Sequence, residues 1–138
     1  MILRDGVAAD AGWMAVVLGD WCRATPWMPK LHSRDADLWF AGHLLASQSV
    51  RVVGEAGFLA REGGTVTALY LAPAARGAGL GRLLLDDAKR AGPLGLWTFQ
   101  ANIGARRFYA REGLVEVRMT DGAGNDEKLP DVWMEWRG

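Results

Sequence analysis

The segment with the clearest chemical potential is a glycine-rich run near the middle of the chain, Arg76-Gly77-Ala78-Gly79-Leu80-Gly81. It follows a strand-like run, Thr65 to Leu71, and opens an amphipathic pattern that predicts a helix lasting to about Arg90. A helix N-terminus carries unpaired N–H donors and about half a positive charge, and glycine lets an anion approach the main chain without meeting a Cβ atom. The run therefore predicts a phosphate-bearing ligand, although a tight strand-to-helix turn alone would also use glycine.

Two familiar phosphate-binding loops do not fit this run. A P-loop needs Lys and then Ser or Thr after its last glycine, whereas Arg82 and Leu83 follow here. A dinucleotide-binding loop needs G-x-G-x-x-G/A, and its sixth position is Arg82 or Leu84 in the two frames that the glycines allow. Only 57 of the 138 residues follow Gly81, too few for the remaining units of a doubly wound domain. A dinucleotide-binding oxidoreductase is therefore disfavoured.

The run resembles the pyrophosphate loop of the GCN5-related N-acetyltransferase (GNAT) family, whose pattern is R/Q-x-x-G-x-G/A between a strand and a helix. Arg76, Gly79 and Gly81 fill that pattern. A second element, Asn102 to Gly113, resembles the family's N-x-x-A-x-x-x-Y-x-x-x-G helix. Two motifs in the right order are more specific than one, and the resemblance extends from about residue 2 to 136, most strongly from 67 to 113. The chain is identified as a member of this family.

The resemblance implies acetyl-CoA as cosubstrate. In the family, the cofactor lies between the strand before the glycine loop and the strand after the loop's helix, which splay apart. The pantetheine arm bonds to the first strand, and the pyrophosphate meets the loop. Asn102 also suits a helix N-cap, and the two roles can coexist. The residues to which the resemblance assigns cofactor contacts are Leu69, Tyr70, Leu71, Arg76, Gly77, Ala78, Gly79, Leu80, Gly81, Arg82, Asn102, Ala105 and Phe108.

Tyr109 resembles the residue that protonates the leaving thiolate in this family. A model thiol has a pKa of about 8.5, so a nearby proton donor makes its departure easier. By spacing alone, Tyr109 would be a core residue on an amphipathic helix beside Ala105 and Phe108. The general base is not identifiable, because Glu55 and Glu62 fall in expected hairpin turns where solvated side chains are the rule.

The acceptor site is suggested by two connecting segments. Trp27 and Met28 lie in the turn from Thr25 to Leu31, and they either line a pocket or cover the core from outside. The segment from Asp121 to Asp131 is long for a hairpin connection. Its polar residues, Asn125 and Asp126 among them, would hold an amine, or else the segment is a mobile solvated loop.

No metal site is expected. His32 and His43 lack ligand spacing, and Ala123 stands where a calcium loop needs an oxygen ligand.

Composition bounds the kind of protein. A chain of 138 residues with 50% hydrophobic content suits one domain, 1–138, that buries roughly two-thirds of its unfolded surface. Sixteen basic residues balance sixteen acidic ones, so nucleic acid is not expected as a partner. The single Cys22 permits no internal disulfide, and no segment reads as a signal peptide or membrane span. A cytoplasmic protein is the expectation.

The helices and strands that must position these residues alternate along the chain. The apolar spacing predicts helices over Ala8 to Trp21, with Trp13, Val16, Val17 and Trp21 on one face, and over Ser33 to Ala46, with Leu38, Trp39 and Leu45 on one face. Asp10 is a candidate cap for the first, and Ser33 or Asp35 for the second. The helix after the glycine loop is expected to bury Leu80, Leu83, Leu84, Asp87 and Ala88. The expected strands are Met1 to Leu3, Val50 to Val53, Gly57 to Arg61, Thr65 to Leu71, Leu94 to Gln100, Leu114 to Met119 and Val132 to Trp136.

The pattern indicates a mixed α/β (α+β) domain, and the resemblance implies the GNAT acyl-CoA N-acyltransferase fold. That fold has a central, mixed, mostly antiparallel sheet of about six to seven strands flanked by about four helices. The implied activity is transfer of acetyl from acetyl-CoA to a primary amine of a small molecule, peptide or protein by direct attack in a ternary complex. The alternative is an acetyl-CoA or CoA sensor without turnover. Trp133 and Trp136 would suit a homodimer formed through the final strands, or would simply cap the core.

Overall fold

The computed structural model describes residues 2–30 and 32–138. Two short 3-10 turns, Ala8–Asp10 and Pro73–Ala75, precede the first and third helices. The expected strand from Met1 to Leu3 overlaps the first strand only at Leu3, and Met1 itself lies outside the described residues, as does Leu31. In chain order the main elements are β1 (Leu3–Asp5), α1 (Ala11–Ala24), α2 (Arg34–Ser47), β2 (Ser49–Val53), β3 (Gly57–Glu62), β4 (Thr65–Leu71), α3 (Leu80–Lys89), β5 (Leu94–Phe99), α4 (Ile103–Arg111), β6 (Val115–Thr120) and β7 (Asp131–Trp136).

The strands form one seven-stranded sheet in the order β1-β2-β3-β4-β5-β7-β6. All neighbouring pairs are antiparallel except β4 and β5, which are parallel. Tight turns that contain Gly54 and Gly63, both at positive φ, join β2 to β3 and β3 to β4, as expected where the chain reverses within a hairpin. The expected fold class, a mostly antiparallel mixed sheet with four helices, is confirmed.

The parallel pair is the irregular place in the sheet. In the described chain, β4 and β5 are paired only at Thr65↔Gly95 and Val66↔Leu96. Beyond Val66, β4 stays paired with β3 as far as Leu71, while β5 pairs with β7 as far as Phe99. The two strands therefore splay apart toward their carboxyl ends, and the edge of β4 that faces β5 is left without a strand partner there.

The sheet separates two layers of helix. Neighbouring residues of a strand face opposite sides of the sheet. Both β2 and β3 therefore contribute residues to the hydrophobic core on each side of the sheet. Val52 and Phe58 are buried in a cluster with α1 and α2, whereas Val53 and Leu59 are buried in a cluster with α3 and Tyr109 of α4. The core on the α3 side underlies the splayed strands, so packing there fixes both edges of the opening.

The expected faces of the helices were partly wrong. In α2, Leu38 and Trp39 are 48% and 69% exposed, and the buried residues are Asp37, Ala41 and Leu44. In α1, Val17 is buried as expected, but Val16 is 49% exposed. In α3, Leu83 is exposed at 39% and Leu85 is fully buried in its place. When a helix carries apolar residues on more than one side, the sequence does not determine which side faces the core. For α1 and α2, the packing of the two helices against each other determines which side is buried.

The two candidate caps at the N-termini of α1 and α2 differ. Ser33 caps α2 as expected, because its hydroxyl accepts a hydrogen bond of 3.1 Å from the Ala36 N–H. Asp10 stands before α1, but its carboxylate accepts no bond from the helix backbone. It accepts instead from the Val7 N–H and from the side chains of Arg4 and Trp13. Asp10 therefore ties β1 to the start of α1 rather than capping the helix.

Candidate active site

A cleft with a volume of about 680 Å³ occupies the opening between β4 and β5. Its walls are the free edge of β4, the glycine loop with the start of α3, the end of β5 and the facing side of α4. Every residue for which the sequence predicts a cofactor contact lines this cleft except Ala78, and the expected acid Tyr109 lines it too. The structure thus brings together the two motifs that lie some 20 residues apart in sequence.

The glycine loop has a backbone that only glycine adopts readily. Gly77 and Gly79 have φ angles of 80° and 82°, in the left-handed region where a Cβ atom is disfavoured. A Cβ built on either residue would meet nothing within 4 Å. These two glycines are therefore required by backbone conformation, and the space in front of them is open.

Six consecutive N–H groups, from Gly77 to Arg82, donate no hydrogen bond to any described residue. The next N–H group along the chain, that of Leu83, does have a backbone partner: it donates to the Gly79 carbonyl at 3.0 Å. A helix normally leaves its first donors free, and the loop adds further donors to them. Together they form a surface of partial positive charge that suits an anion.

Arginines add full charges around this loop. Arg76 is exposed and forms no ion pair with a described residue. Arg82, whose side chain is 71% exposed, lies 3.6 Å from Asp86 and 3.7 Å from Glu112. The exposed pair with Asp86 contributes about 0–1 kcal/mol, so the guanidinium can exchange it for a phosphate at small cost. Arg111 and Glu112 also line the cleft, although neither was predicted from the sequence as a site residue.

The start of α4 is fixed by Asn102. Its side-chain oxygen accepts a hydrogen bond of 3.1 Å from the Ala105 N–H, so the expected N-cap is present. The cap sets the rotation of α4 so that Ala105, Phe108 and Tyr109 face the cleft. Whether Asn102 also contacts a cofactor stays a prediction.

Tyr109 is 9% exposed and lines the cleft. Burial raises the pKa of its hydroxyl to about 12, so the group keeps its proton at neutral pH. Within the described chain, the hydroxyl makes no hydrogen bond, and it is not among the fully buried polar atoms that lack partners. Tyr109 is thus a protonated donor at the cleft surface without a structural partner.

Tyr70 on β4 presents a second phenol to the same cleft. Burial raises the pKa of its hydroxyl above the usual value, and the nearby Cys22, Tyr109 and Glu127 raise it further. Its ring makes an edge contact with Trp21, with centroids 5.6 Å apart. Tyr70 therefore links the expected acid to the end of α1.

Trp27 and Met28 have different surroundings. Trp27 is half-buried and packs edge-on against Trp21 at 6.0 Å and against Phe99 at 5.7 Å. Trp21 and Phe99 both line the cleft, so Trp27 lies at its border. Met28 is buried at 6% exposure. Neither Trp21 nor Phe99 was predicted from the sequence as a site residue, and their one local signal was an aromatic side chain near the end of a helix or strand.

The segment from Asp121 to Asp131 joins β6 to β7. The Asn125 side chain donates to the Leu129 carbonyl at 2.8 Å and accepts from the Leu129 N–H at 3.3 Å, so it holds the loop together. Asp126 is exposed. Glu127, which was not predicted as a site residue, has a buried Oε2 atom without a hydrogen-bond partner in the described chain. Substrate contacts for Asn125 and Asp126 stay predictions.

The acidic residues considered as general bases lie away from the cleft. Glu55 and Glu62 are exposed and do not line it. In residues 2–30 and 32–138, no three or more His, Cys, Asp or Glu side chains are grouped so that they could hold a metal ion. Over the same residues, no helix has both the length and the apolar character needed to cross a membrane.

Comparison with known proteins identifies the family. The model of the acetyltransferase (GNAT) domain matches residues 39–116, which is more than half of the chain. The match includes the glycine loop, α3, β5 and the whole of α4. The chain therefore belongs to the GNAT acetyltransferase family, as its two motifs predict. No curated protein sequence matches it.

Solved structures with the same fold include three that cover nearly the whole chain. The ribosomal-protein-alanine N-acetyltransferase from Brucella melitensis is 18% identical with a TM-score of 0.77, and all of each chain is covered. Apo-form YjaB from Escherichia coli is 21% identical with a TM-score of 0.76, covering 100% of this chain and 99% of its own. The putative acetyltransferase yncA from Salmonella typhimurium, solved with its cofactor acetyl-CoA, is 22% identical with a TM-score of 0.73, covering 99% and 93%. At these identities the likeness establishes the fold.

Proposed function

We propose that this protein is an N-acetyltransferase that moves the acetyl group of acetyl-CoA to a primary amine of a small molecule, peptide or protein by direct attack in a ternary complex. The observation that carries the proposal is the row of six free N–H groups, Gly77 to Arg82, at one end of a cleft that has a protonated Tyr109 in its wall. An anion-binding loop and a proton donor in one cleft are what transfer from a phosphate-bearing thioester requires.

The residues of the cleft fit coenzyme A. The free N–H groups and the open space before Gly77 and Gly79 suit a pyrophosphate, with Arg76 and Arg82 as counter-charges. The unpaired edge of β4 at Leu69 to Leu71 offers backbone groups to an extended pantetheine arm, which would bind as an added strand. The volume of about 680 Å³ is in the range of ligand clefts.

The chemistry follows from which groups keep or lose protons. The attacking amine must be neutral, and it loses a proton as the new bond to the acetyl carbon forms. The thiolate that leaves gains a proton, and Tyr109 is placed to donate it. The phenol is replenished from the proton that the amine releases. The Leu71 backbone is a further candidate, as a donor to the developing oxyanion.

The sensor without turnover is the alternative function. A sensor needs the phosphate-binding loop but no proton donor in the cleft. Tyr109 keeps a free hydroxyl at the cleft surface although burial makes the position suitable for Phe, and this supports turnover.

A single domain over 1–138 and a cytoplasmic location belong to the proposal as well. The single Cys22 supports the location, and the shared sheet supports the single domain. A homodimer through β6 and β7 is supported only by the exposed apolar residues of β6.

The test begins with calorimetric titration of acetyl-CoA and, in parallel, of NADH. We expect acetyl-CoA to bind and NADH not to bind. Thiol release is then measured over a panel of primary amines, with matched tertiary amines that cannot be acetylated as controls. Release that depends on a primary amine supports the transferase. Binding without release over the panel favours the sensor, and no binding of acetyl-CoA contradicts both.

A further inference from the structure

Four aromatic rings in contact with one another cross the opening between β4 and β5. Tyr70 of β4 packs edge-on against Trp21 at the end of α1, with ring centroids 5.6 Å apart. Trp21 contacts Trp27 at 6.0 Å, and Trp27 contacts Phe99 of β5 at 5.7 Å. Tyr70 and Phe99 both lie beyond the last residues at which the two strands are paired. These four rings, which we call the aromatic arch, therefore join the strands where the backbone pairing has ended.

The aromatic arch lies on the opposite side of the sheet from the glycine loop. Tyr70 packs against the core cluster of α1 and α2, whereas its neighbours Leu69 and Leu71 pack against the cluster that contains α3. Phe99 lies three residues after Leu96, which is buried on the α3 side, so strand alternation places Phe99 on the α1 side. The cleft therefore has the anion-binding loop on one side and the arch on the other.

Charge is divided between the two sides of the cleft in the same way. The charged lining residues of the described chain all belong to the glycine loop, α3 and the end of α4: Arg76, Arg82, Arg111 and Glu112. The lining residues from α1, β4 and β5 are all uncharged. Trp21, Tyr70 and Phe99 are among them, and all three are half-buried, so part of each ring stays accessible. The arch side therefore offers a ligand aromatic contacts without an opposite charge.

We propose that the acceptor is a primary amine that carries an aromatic ring on a short chain, and that the aromatic arch binds this ring. Aromatic pairs are favourable beyond the area that they bury, because the positive edge of one ring meets the negative face of another. The amine is the only charged group of such an acceptor, and it must become neutral before attack. The acceptor therefore brings no unpaired charge to the uncharged side of the cleft. This inference rests on the proposed acetyl transfer and names its acceptor class.

The test compares three primary amines, 2-phenylethylamine, 2-cyclohexylethylamine and ethylamine, which separate an aromatic ring from an apolar ring of similar size and from no ring. Each wild-type kcat/KM is referred to the neutral fraction of the amine. It should favour either ring over ethylamine by about 10- to 100-fold, as burial of a group of this size predicts. The aromatic ring should in turn be preferred to cyclohexyl by about 2- to 10-fold.

Two variants remove one ring of the arch each and keep an apolar side chain. Trp21→Leu and Phe99→Leu should bring the ratio of phenyl to cyclohexyl to roughly one, because the ring-to-ring contact is lost. Trp39→Leu is the matched control, since Trp39 is 69% exposed on α2 and does not line the cleft. It should keep the wild-type ratio. Thermal unfolding establishes which variants are folded.

Binding is also measured without turnover. The indole N–H resonances of Trp21 and Trp39 are followed by NMR as each amine is added to the CoA-saturated wild-type protein. We expect 2-phenylethylamine to shift the Trp21 resonance, ethylamine to leave it in place, and neither amine to shift that of Trp39. This result without acetyl transfer to any amine would uphold the aromatic site and contradict the transferase alone.

Loss of the phenyl preference in either folded arch variant, with the preference kept in Trp39→Leu, upholds the inference. Equal use of phenyl and cyclohexyl by wild type overturns it, as does a preference that survives in both arch variants. An equal loss in Trp39→Leu overturns it too. So does a Trp21 resonance that 2-phenylethylamine leaves in place or that ethylamine shifts as far. The wild-type measurements decide the question even where a variant does not fold.

Discussion

Gly81 at the start of α3 lies against Phe108 on α4, so closely that a Cβ atom on Gly81 would stand 3.3 Å from the Cζ atom of Phe108. The ring of Phe108 in turn lies 5.3 Å from that of Tyr109. The glycine loop and the proposed acid are thus held to each other through one ring. The absence of a Cβ atom on Gly81 leaves room for this close approach, and Gly81 does not have the positive φ of Gly77 and Gly79.

Removal of the Tyr109 hydroxyl should separate chemistry from binding. Because the hydroxyl has no hydrogen-bond partner in the described chain, Tyr109→Phe leaves no orphaned group behind. We expect kcat to fall by about 10²- to 10⁴-fold, the usual contribution of a general acid, with little change in the KM for acetyl-CoA. Steady-state thiol release checks this. Tyr70→Phe serves as the comparison, and a larger loss of kcat there would assign the acid to Tyr70.

A negative charge in the glycine loop should weaken cofactor binding. Gly79→Asn and Gly79→Asp are matched in size, and Asn and Asp both tolerate the left-handed region better than other residues. We expect the Kd for acetyl-CoA to be about tenfold higher for Asp than for Asn, because only Asp opposes the helix dipole and the phosphate. Calorimetry measures both constants. Equal constants for the two variants would remove the loop from phosphate binding.

The strands after β1 were predictable because each carries its own local signals. Thr65–Leu71 was predicted to the residue, since Gly63-Gly64 marks its start and a proline-containing turn follows its end. The rotation of α2 was not predictable. Asp37 is buried and lies 3.8 Å from Arg23 of α1, while Trp39 faces outward. A buried carboxylate on α2 that faces an exposed arginine on α1 goes against the apolar pattern of α2, and nothing local in the sequence reveals it.

For the site, the sequence predicted the residues whose roles depend on the backbone. Gly79 and the cap at Asn102 belong to spaced motifs, and the structure places both beside the cleft. The sequence did not distinguish Glu127 from the other acidic residues of its loop. The burial of the Oε2 atom of that carboxylate is a property of tertiary structure alone.

The loop that carries Glu127 should depend on one glycine. Gly122→Ala places a Cβ atom in the Leu129 carbonyl at a φ of 83°, and we expect a loss of about 2 kcal/mol or more in the free energy of unfolding. Gly124→Ala is the matched control in the same loop, since its Cβ atom would meet nothing within 4 Å, and its effect should stay within about 0.5 kcal/mol. Denaturant unfolding measures both. Similar losses in the two variants would mean that the loop is not packed as described.

Asp10 should make the protein sensitive to acid. Hydrogen bonds from Arg4 hold the pKa of its carboxyl well below the usual range, and bonds from Trp13 and the Val7 N–H add to the effect. A lowered pKa stabilises the fold above the unfolded value of about 3.9, and this contribution is lost as the pH falls toward the lower folded value. We expect Asp10→Asn to lose about 2 kcal/mol of unfolding free energy at pH 7. Unfolding measured from pH 7 to pH 2 should show the gap to wild type shrinking below about pH 4. A gap independent of pH would mean that the carboxylate charge is not what stabilises this corner.

The most direct test of the phosphate-binding loop is the response of its own amide groups. Backbone N–H resonances of Gly77 to Arg82 are followed by NMR as the protein is titrated with CoA and, separately, with pantetheine, which lacks the phosphates. We predict that CoA shifts these resonances strongly and pantetheine leaves them in place. Resonances that CoA leaves unshifted, or that pantetheine shifts equally, would contradict an anion-binding role for the loop and with it the proposed acetyl-CoA site.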